Sequence, residues 1–192
     1  MGIEYERKFK LNFPTFLAVN SAFPHKTREI LMDTTYYDTP SGALSSRHYT
    51  LRQRLENDKS VCALKTPAGD ARNEWETENA SIEEAIPQLI ALGAPAELQE
   101  LAKEGLIPIC GAKFTRLAKT LTLTHCTVEL ALDNGILTGG GKEISLCEVE
   151  VELKAGSEAA ATDFAHEFAA QFGLLPEKKS KFKRALSLSR GD

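Results

Sequence analysis

The chain has 192 residues, 42% of them hydrophobic and 26% charged, with a formal net charge of −4. That length suits one domain with a real core, and the acidic balance argues against nucleic acid as a partner. No apolar run approaches the roughly 20 residues that span a bilayer, and Met-Gly-Ile-Glu has neither the basic nor the apolar region of a signal peptide, so a cytoplasmic protein with no membrane partner is expected.

Residues 2–11 read as a strand, with Glu4, Glu6 and Lys8 alternating against Ile3, Tyr5 and Phe9. Pro14 starts a short helix over 14–21, and a strand follows at 27–38. After the turn chemistry of Thr39-Pro40-Ser41-Gly42, strands at 49–57 and 60–66 form a hairpin around Asn57-Asp58, and Pro67-Ala68-Gly69-Asp70 leads to a strand at 72–79. Ser81 with Glu83 and Glu84 is an N-cap followed by first-turn acids, so a helix begins there, and a second fits 95–104. Strands are expected at 109–123, 126–133, 136–139 and 143–154, with Asn134-Gly135 as the strongest hairpin turn and Gly139-Gly140-Gly141 as another. Phe164, Phe168 and Phe172, spaced by four, mark an amphipathic helix over 157–172 that closes at Gly173. A basic helix or turn at about 179–189 ends the chain. The four cysteines, Cys62, Cys110, Cys126 and Cys147, form no C-x-x-C pair and read as buried free thiols.

A period of two sends every second side chain to one face of a strand. On that basis Glu4, Glu6 and Lys8 share a face, as do Arg52 and Arg54, Glu74 with Glu76 and Glu78, Glu129 with Asp133, and Glu148 with Glu150 and Glu152, while Lys65 alternates with Leu64 on a sixth strand. For any one strand the plainer reading is a solvent face. Across the set it weakens, because each strand carries one dominant sign and the helices need an apolar surface to cover. The expectation is an α+β domain over 1–192 in which about eight antiparallel strands close into a barrel, charges inside and helices packed outside. Carboxylates crowded on one face call for a divalent metal with oxygen ligands. Basic pairs beside them call for an anion, so together they suggest a polyphosphate site.

These residues resemble the CYTH superfamily, the triphosphate tunnel metalloenzymes, and most of all its bacterial inorganic triphosphatases. Glu4-x-Glu6-x-Lys8 is similar to the family's ExExK signature. Thr35-Tyr36-Tyr37-Asp38-Thr39-Pro40, Leu51-Arg52-Gln53-Arg54, Leu64-Lys65 and Arg72-Asn73-Glu74 follow in the family's order. So do Arg116, Leu132-Asp133-Asn134-Gly135, Glu148-x-Glu150-x-Glu152-Leu153 and Ser180-Lys181. The resemblance runs from residue 3 to about 186 and is specific as a combination.

It implies a closed eight-stranded antiparallel tunnel and hydrolysis of a triphosphate, a small anionic substrate, with Mg²⁺ or Mn²⁺ by a monomer or homodimer. Under this reading Glu4, Glu6, Glu148, Glu150 and Glu152 form the metal set, with Asp133 at its edge or as a turn-initiating aspartate. Lys8, Arg52, Arg54, Lys65, Arg116 and Lys181 form the phosphate set, with Lys179 a weaker candidate. Arg72 and Glu74 are read as a supporting ion pair. Glu148 or Glu150 orients or deprotonates the attacking water, with Lys8 beside the reacting phosphate. Tyr36, Tyr37, Phe164 and Phe168 are read as core. Inorganic triphosphate is the favoured substrate. Thiamine or nucleoside triphosphate hydrolysis, or a class IV-type adenylate cyclase, would use the same site. A polyphosphate-binding module without catalysis is the reading from another class.

Overall fold

The computed structural model describes residues 2–69 and 71–190, with side chains for all of these except 2–4 and 71. Ten strands and six helices alternate irregularly. In chain order they are β1 (Gly2–Glu4), β2 (Glu6–Lys10), α1 (Phe13–Ala22), β3 (Thr27–Asp38), α2 (Ala43–Ser46), β4 (Thr50–Glu56), β5 (Lys59–Ala68) and β6 (Ala71–Glu78). There follow α3 (Ile82–Ala91), α4 (Glu97–Ala102), β7 (Ile107–Thr122), β8 (Cys126–Gly139), β9 (Lys142–Gly156), α5 (Glu158–Phe172), β10 (Leu175–Pro176) and α6 (Lys181–Arg190). No helix among the described residues is long and apolar enough to cross a membrane.

The α+β class holds, and all strands join one antiparallel sheet in the order β1-β6-β5-β4-β3-β7-β8-β9-β2-β10. The expected eight-stranded closed barrel is met only in part, since this hydrogen-bonded row has two ends. The single strand read over 2–11 is divided at Tyr5. Glu4 pairs with Arg72 on β6, whereas Glu6 pairs with Glu152 on β9. The Tyr5 carbonyl already accepts from Leu153 N–H at 2.9 Å, so the chain changes neighbour within one residue.

Alternation then sorts the side chains. Phe9, Val149, Val151, Leu130 and Leu132 face outward and pack with Phe16, Val19, Ala165 and Phe168 of α1 and α5. Leu51, Cys62, Leu64 and Trp75 do the same under Ile82, Ile86, Leu89 and Leu98 of α3 and α4. Caps fix the helix starts: the Asn12 side chain accepts from Thr15 N–H, Ser81 from Glu84 N–H and Ser157 from Ala160 N–H. The charged residues are left on the opposite sheet face. A third cluster lies on that face too, where Phe182 and Ala185 of α6 pack on Met32, Tyr36, Phe114, Leu137 and Leu146. The helix therefore covers one end of the charged face.

All four cysteines are free thiols, Cys62 and Cys126 buried as expected and Cys110 and Cys147 half-buried. Burial pushes the Cys62 thiol up to about 11 and that of Cys110 to about 12.

The Asn134-Gly135 turn is not formed. β8 runs straight through it, with Gly135 opposite Phe114 on one side and Leu146 on the other. The second expected turn does form, at Gly140-Gly141, both with positive φ (58° and 74°), as a two-residue hairpin requires. Gly135 serves close approach: a Cβ there would lie 2.1 Å from the Lys113 carbonyl oxygen and 2.5 Å from Phe114 Cα. Gly135→Ala should therefore cost roughly 1–3 kcal/mol through forced strand separation. Urea denaturation would measure it, and an unchanged midpoint would show that β7 and β8 can part freely there.

Candidate functional site

A cavity of about 560 Å³ opens on the charged face, within the ordinary range for a small-ligand pocket. Of the residues singled out from the sequence, Glu6, Lys8, Arg52, Arg54, Lys65, Arg116, Glu150, Glu152 and Lys181 line it. Asp133 and Glu148 do not. Both are fully buried beneath it. The backbone of Glu4 lies on β1, but its side chain, and so the metal role expected of it, falls outside the described residues. Lys179 is exposed.

Lys181 is at the centre of the buried acids. Its Nζ lies 2.7 Å from Asp133 Oδ2, 2.5 Å from Glu148 Oε1 and 2.7 Å from Glu150 Oε1. Arg116 grips Asp133 through Nε and Nη2, both at 2.7 Å, and also donates to Glu150 at 2.6 Å. Arg184 donates to Glu148. Three carboxylates thus share three cations, all in hydrogen-bonded geometry. Burial opposes charge on Glu150, but Lys181, Arg116 and Lys8 together hold its carboxyl well below the usual range. Burial pushes Glu148 up against the pull of Lys181. Burial pulls Lys181 down, and Asp133, Glu150 and Glu148 more than reverse it, leaving its ammonium above the ordinary lysine value.

Among the described residues, Asp133, Glu148 and Glu150 are the one acidic group whose ligand oxygens lie within 4.8 Å of one another. A lysine ammonium occupies its centre. The crowding that suggested a metal is here relieved by the protein's own cations. Asp133 and Glu148 fit as ion-pair anchors. Asp133 is neither a turn residue nor open to the cavity.

Of the seven acids that line the cavity, Glu6, Glu129, Glu150 and Glu152 lie on the β2–β9–β8 side. Glu152 is the register partner of Glu6 on β2 and of Glu129 on β8. Like charges directly opposite destabilise a sheet, and each acid here has a basic neighbour: Lys8 at 3.1 Å from Glu6, Lys154 at 2.9 Å from Glu152 and Arg28 at 2.6 Å from Glu129. An all-carboxylate row across β2, β9 and β8 is the donor chemistry that hard divalent ions take.

The opposite wall is basic. Arg52 and Lys65 share Glu74 at 3.1 and 3.4 Å, in place of the expected Arg72–Glu74 pair. Arg54 Nε donates to Thr34 Oγ1 at 3.0 Å, and its nearest carboxylate, Glu56, is 3.8 Å away. Burial first, and then Arg52 beside it, lower the Arg54 guanidinium to about 10. This is a cation wanting an anion.

Sequence reasoning placed Glu129 on the Asp133 face without giving it a role, and passed over Arg28, Arg184 and Phe114. Arg184 was legible in principle, since it stands three residues after Lys181 and so shares its helix face.

The CYTH domain family matches residues 2–186. The inorganic triphosphatase of Haemophilus influenzae is 26% identical over 181 residues, covering 93% of this chain and 51% of that protein. The chain therefore spans about half the length of the curated relative it matches. The fold recurs in a candidate adenylyl cyclase from Hippeastrum with a dominant triphosphatase activity, at TM-score 0.69 and 17% identity over 100% of this chain and 96% of that one. It recurs again in a candidate adenylate cyclase from Bacillus halodurans, at TM-score 0.65 and 20% identity over 93% and 94% of the two chains.

The buried ion cluster sets a pH dependence for the protein with divalent ions chelated. Lys181 is raised above 10.5, so its contribution is complete below that pH and fades as pH rises through the raised value. Glu150 is lowered below 4.5, so its contribution is complete above that pH and is lost as pH falls through the lowered value. Glu148 runs the other way, costing stability as pH climbs from 4.5 to its raised value. Lys181→Met should cost roughly 3–5 kcal/mol at neutral pH by leaving buried carboxylates unpaired. The deficit should shrink toward pH 4 as they protonate. Urea melts of both proteins across pH would reveal it, and a deficit independent of pH would refute the electrostatic account.

Proposed function

Because the chain belongs to the CYTH domain family, we propose that its charged cavity binds a triphosphate and hydrolyses it with a divalent cation, inorganic triphosphate being the favoured substrate. The observation that carries this reading is the charge of the cavity lining. Nine cationic side chains and seven carboxylates line it, and Arg54 is buried with its charge poorly matched. A triphosphate carries roughly four negative charges near neutral pH. With one divalent ion the bound pair is left with roughly two, close to the cationic excess of the lining.

The sheet is read as a tunnel whose seam lies at Tyr5, where one strand serves both ends of the row. Arg52, Arg54 and Lys65 take the phosphate oxygens, guanidiniums bidentately and the lysine as a point charge. Lys8, on the strand between the two walls, neutralises charge that grows on the leaving pyrophosphate. Glu6, Glu129 and Glu152 would hold Mg²⁺ or Mn²⁺, which supplies charge neutralisation and an oriented water when bound. Glu150 stays ionised and keeps Lys181 and Arg116 aimed into the cavity. A carboxylate held so far below neutrality is a poor proton acceptor, so Glu150 orients rather than abstracts. Glu148, sealed below, acts through Lys181.

The lining also bears on the cyclase alternative. Its aromatic members, Tyr36 and Phe182, pack on each other at 5.1 Å and are buried where α6 meets the sheet, so neither offers a stacking face to a purine. This favours a bare phosphate chain over a nucleotide.

A panel of inorganic triphosphate, thiamine triphosphate and ATP, each with Mg²⁺, Mn²⁺ or chelator, tests the proposal. Phosphate and pyrophosphate released from inorganic triphosphate only with metal is the expected result. Cyclic AMP from ATP, or tight binding without turnover, would replace it with the cyclase or the non-catalytic module.

Two substitutions separate the walls. Arg54→Ala should raise KM and lower kcat together, by about tenfold or more each. Glu152→Ala should abolish turnover while leaving the melting curve near wild type, and wild-type turnover in that variant would remove the acidic row from the site.

A further inference from the structure

Three cations stand over one ring. The centroid of Phe114 lies 5.2 Å from Lys181 Nζ and 5.9 Å from the guanidinium carbons of Arg54 and Arg116. Such contacts occur roughly once per 70–80 residues, so three on a single side chain is a convergence. The cations come from β4, β7 and α6, and each lines the cavity. Phe114 is 5% exposed and lies beneath them. An aliphatic side chain would fill the same volume but offer no negative face. The position is also costly to build, because only the missing Cβ of Gly135 lets β8 pass so close to the Phe114 backbone.

The three cations differ in what else holds them. Arg116 and Lys181 have carboxylates on their far side. Arg54 has a hydroxyl and a distant acid, and it is crowded by Arg52 and Arg116. The ring is thus a counter-pole common to all three, and the principal one for Arg54.

We propose that Phe114 is a positioning residue of the anion site, its negative ring face holding Arg54, Arg116 and Lys181 converged on the cavity. This rests on the anion-binding half of the reading above and is indifferent to hydrolysis. The ring touches no substrate. It acts by keeping three like charges together before the anion arrives, so that little ordering is left to binding.

The test is calorimetric binding of inorganic triphosphate to the full chain carrying phenylalanine, difluorophenylalanine or pentafluorophenylalanine at position 114, beside Phe114→Leu and Phe114→Tyr. Fluorination drains the ring face with little change of shape. Affinity should fall stepwise with fluorine number, by roughly tenfold at the far end, while melting temperature stays near wild type. Phe114→Leu should lose as much, and Phe114→Tyr should recover most of it. Fluorinated proteins that bind triphosphate like wild type would overturn the proposal, whatever Phe114→Leu does to folding. A wild-type protein that binds triphosphate without cleaving it would sink hydrolysis and leave this inference open to the same fluorine series. A wild-type protein that does not bind triphosphate would overturn both.

Discussion

The burial of Lys181 among Asp133, Glu148 and Glu150 is the interaction on which the rest depends. Sheet alternation compels those carboxylates to one face, and that face is covered. Uncompensated, each would cost several kcal/mol. The sheet's own supply of cations is Arg116, which is shared between two of the acids. The remainder comes from α6, through Lys181 and Arg184. The helix is therefore held by apolar packing of Phe182 and Ala185 and by charge at once. A shift of α6 along its axis would break both, so its register on the sheet is specified twice.

Much of this was legible in the sequence because alternation is a local signal. The strands at Thr27–Asp38 and Lys142–Gly156 and the helix at Glu158–Phe172 follow directly from period and caps. What failed was long-range. Asn134-Gly135 has the chemistry of a turn, but its glycine answers a neighbouring strand that the local sequence does not show. The same holds for Asp133, whose turn reading gave way to a place within β8, where it meets two cations, one 17 residues before it and one from the C-terminal helix. The division at Tyr5 needed knowledge of which strands lie at the ends of the row. The inward direction of the charges was inferable only from six strands taken together, since each alone fits a solvent face.

The two walls solve different problems. On the β9 side the buried acids are neutralised internally, so that wall is satisfied without a ligand. On the β4–β5 side compensation is thinner, and Arg54 shows it. A site made this way keeps its fold when empty and reserves its unmet charge for the ligand. Preorganised charge of this kind is what a reaction that spreads negative charge over phosphate oxygens requires.

The division at Tyr5 also governs how the chain can assemble. β2 pairs with β9, and the two lie far apart in sequence. Closing so long a loop is entropically expensive and comes late. The residues of β2 are thus made long before the strand they pair with, and are among the last of this domain to find their ladder. Until β9 emerges, Phe9 and its neighbours have no sheet to join, and the nascent chain carries an unpaired strand edge.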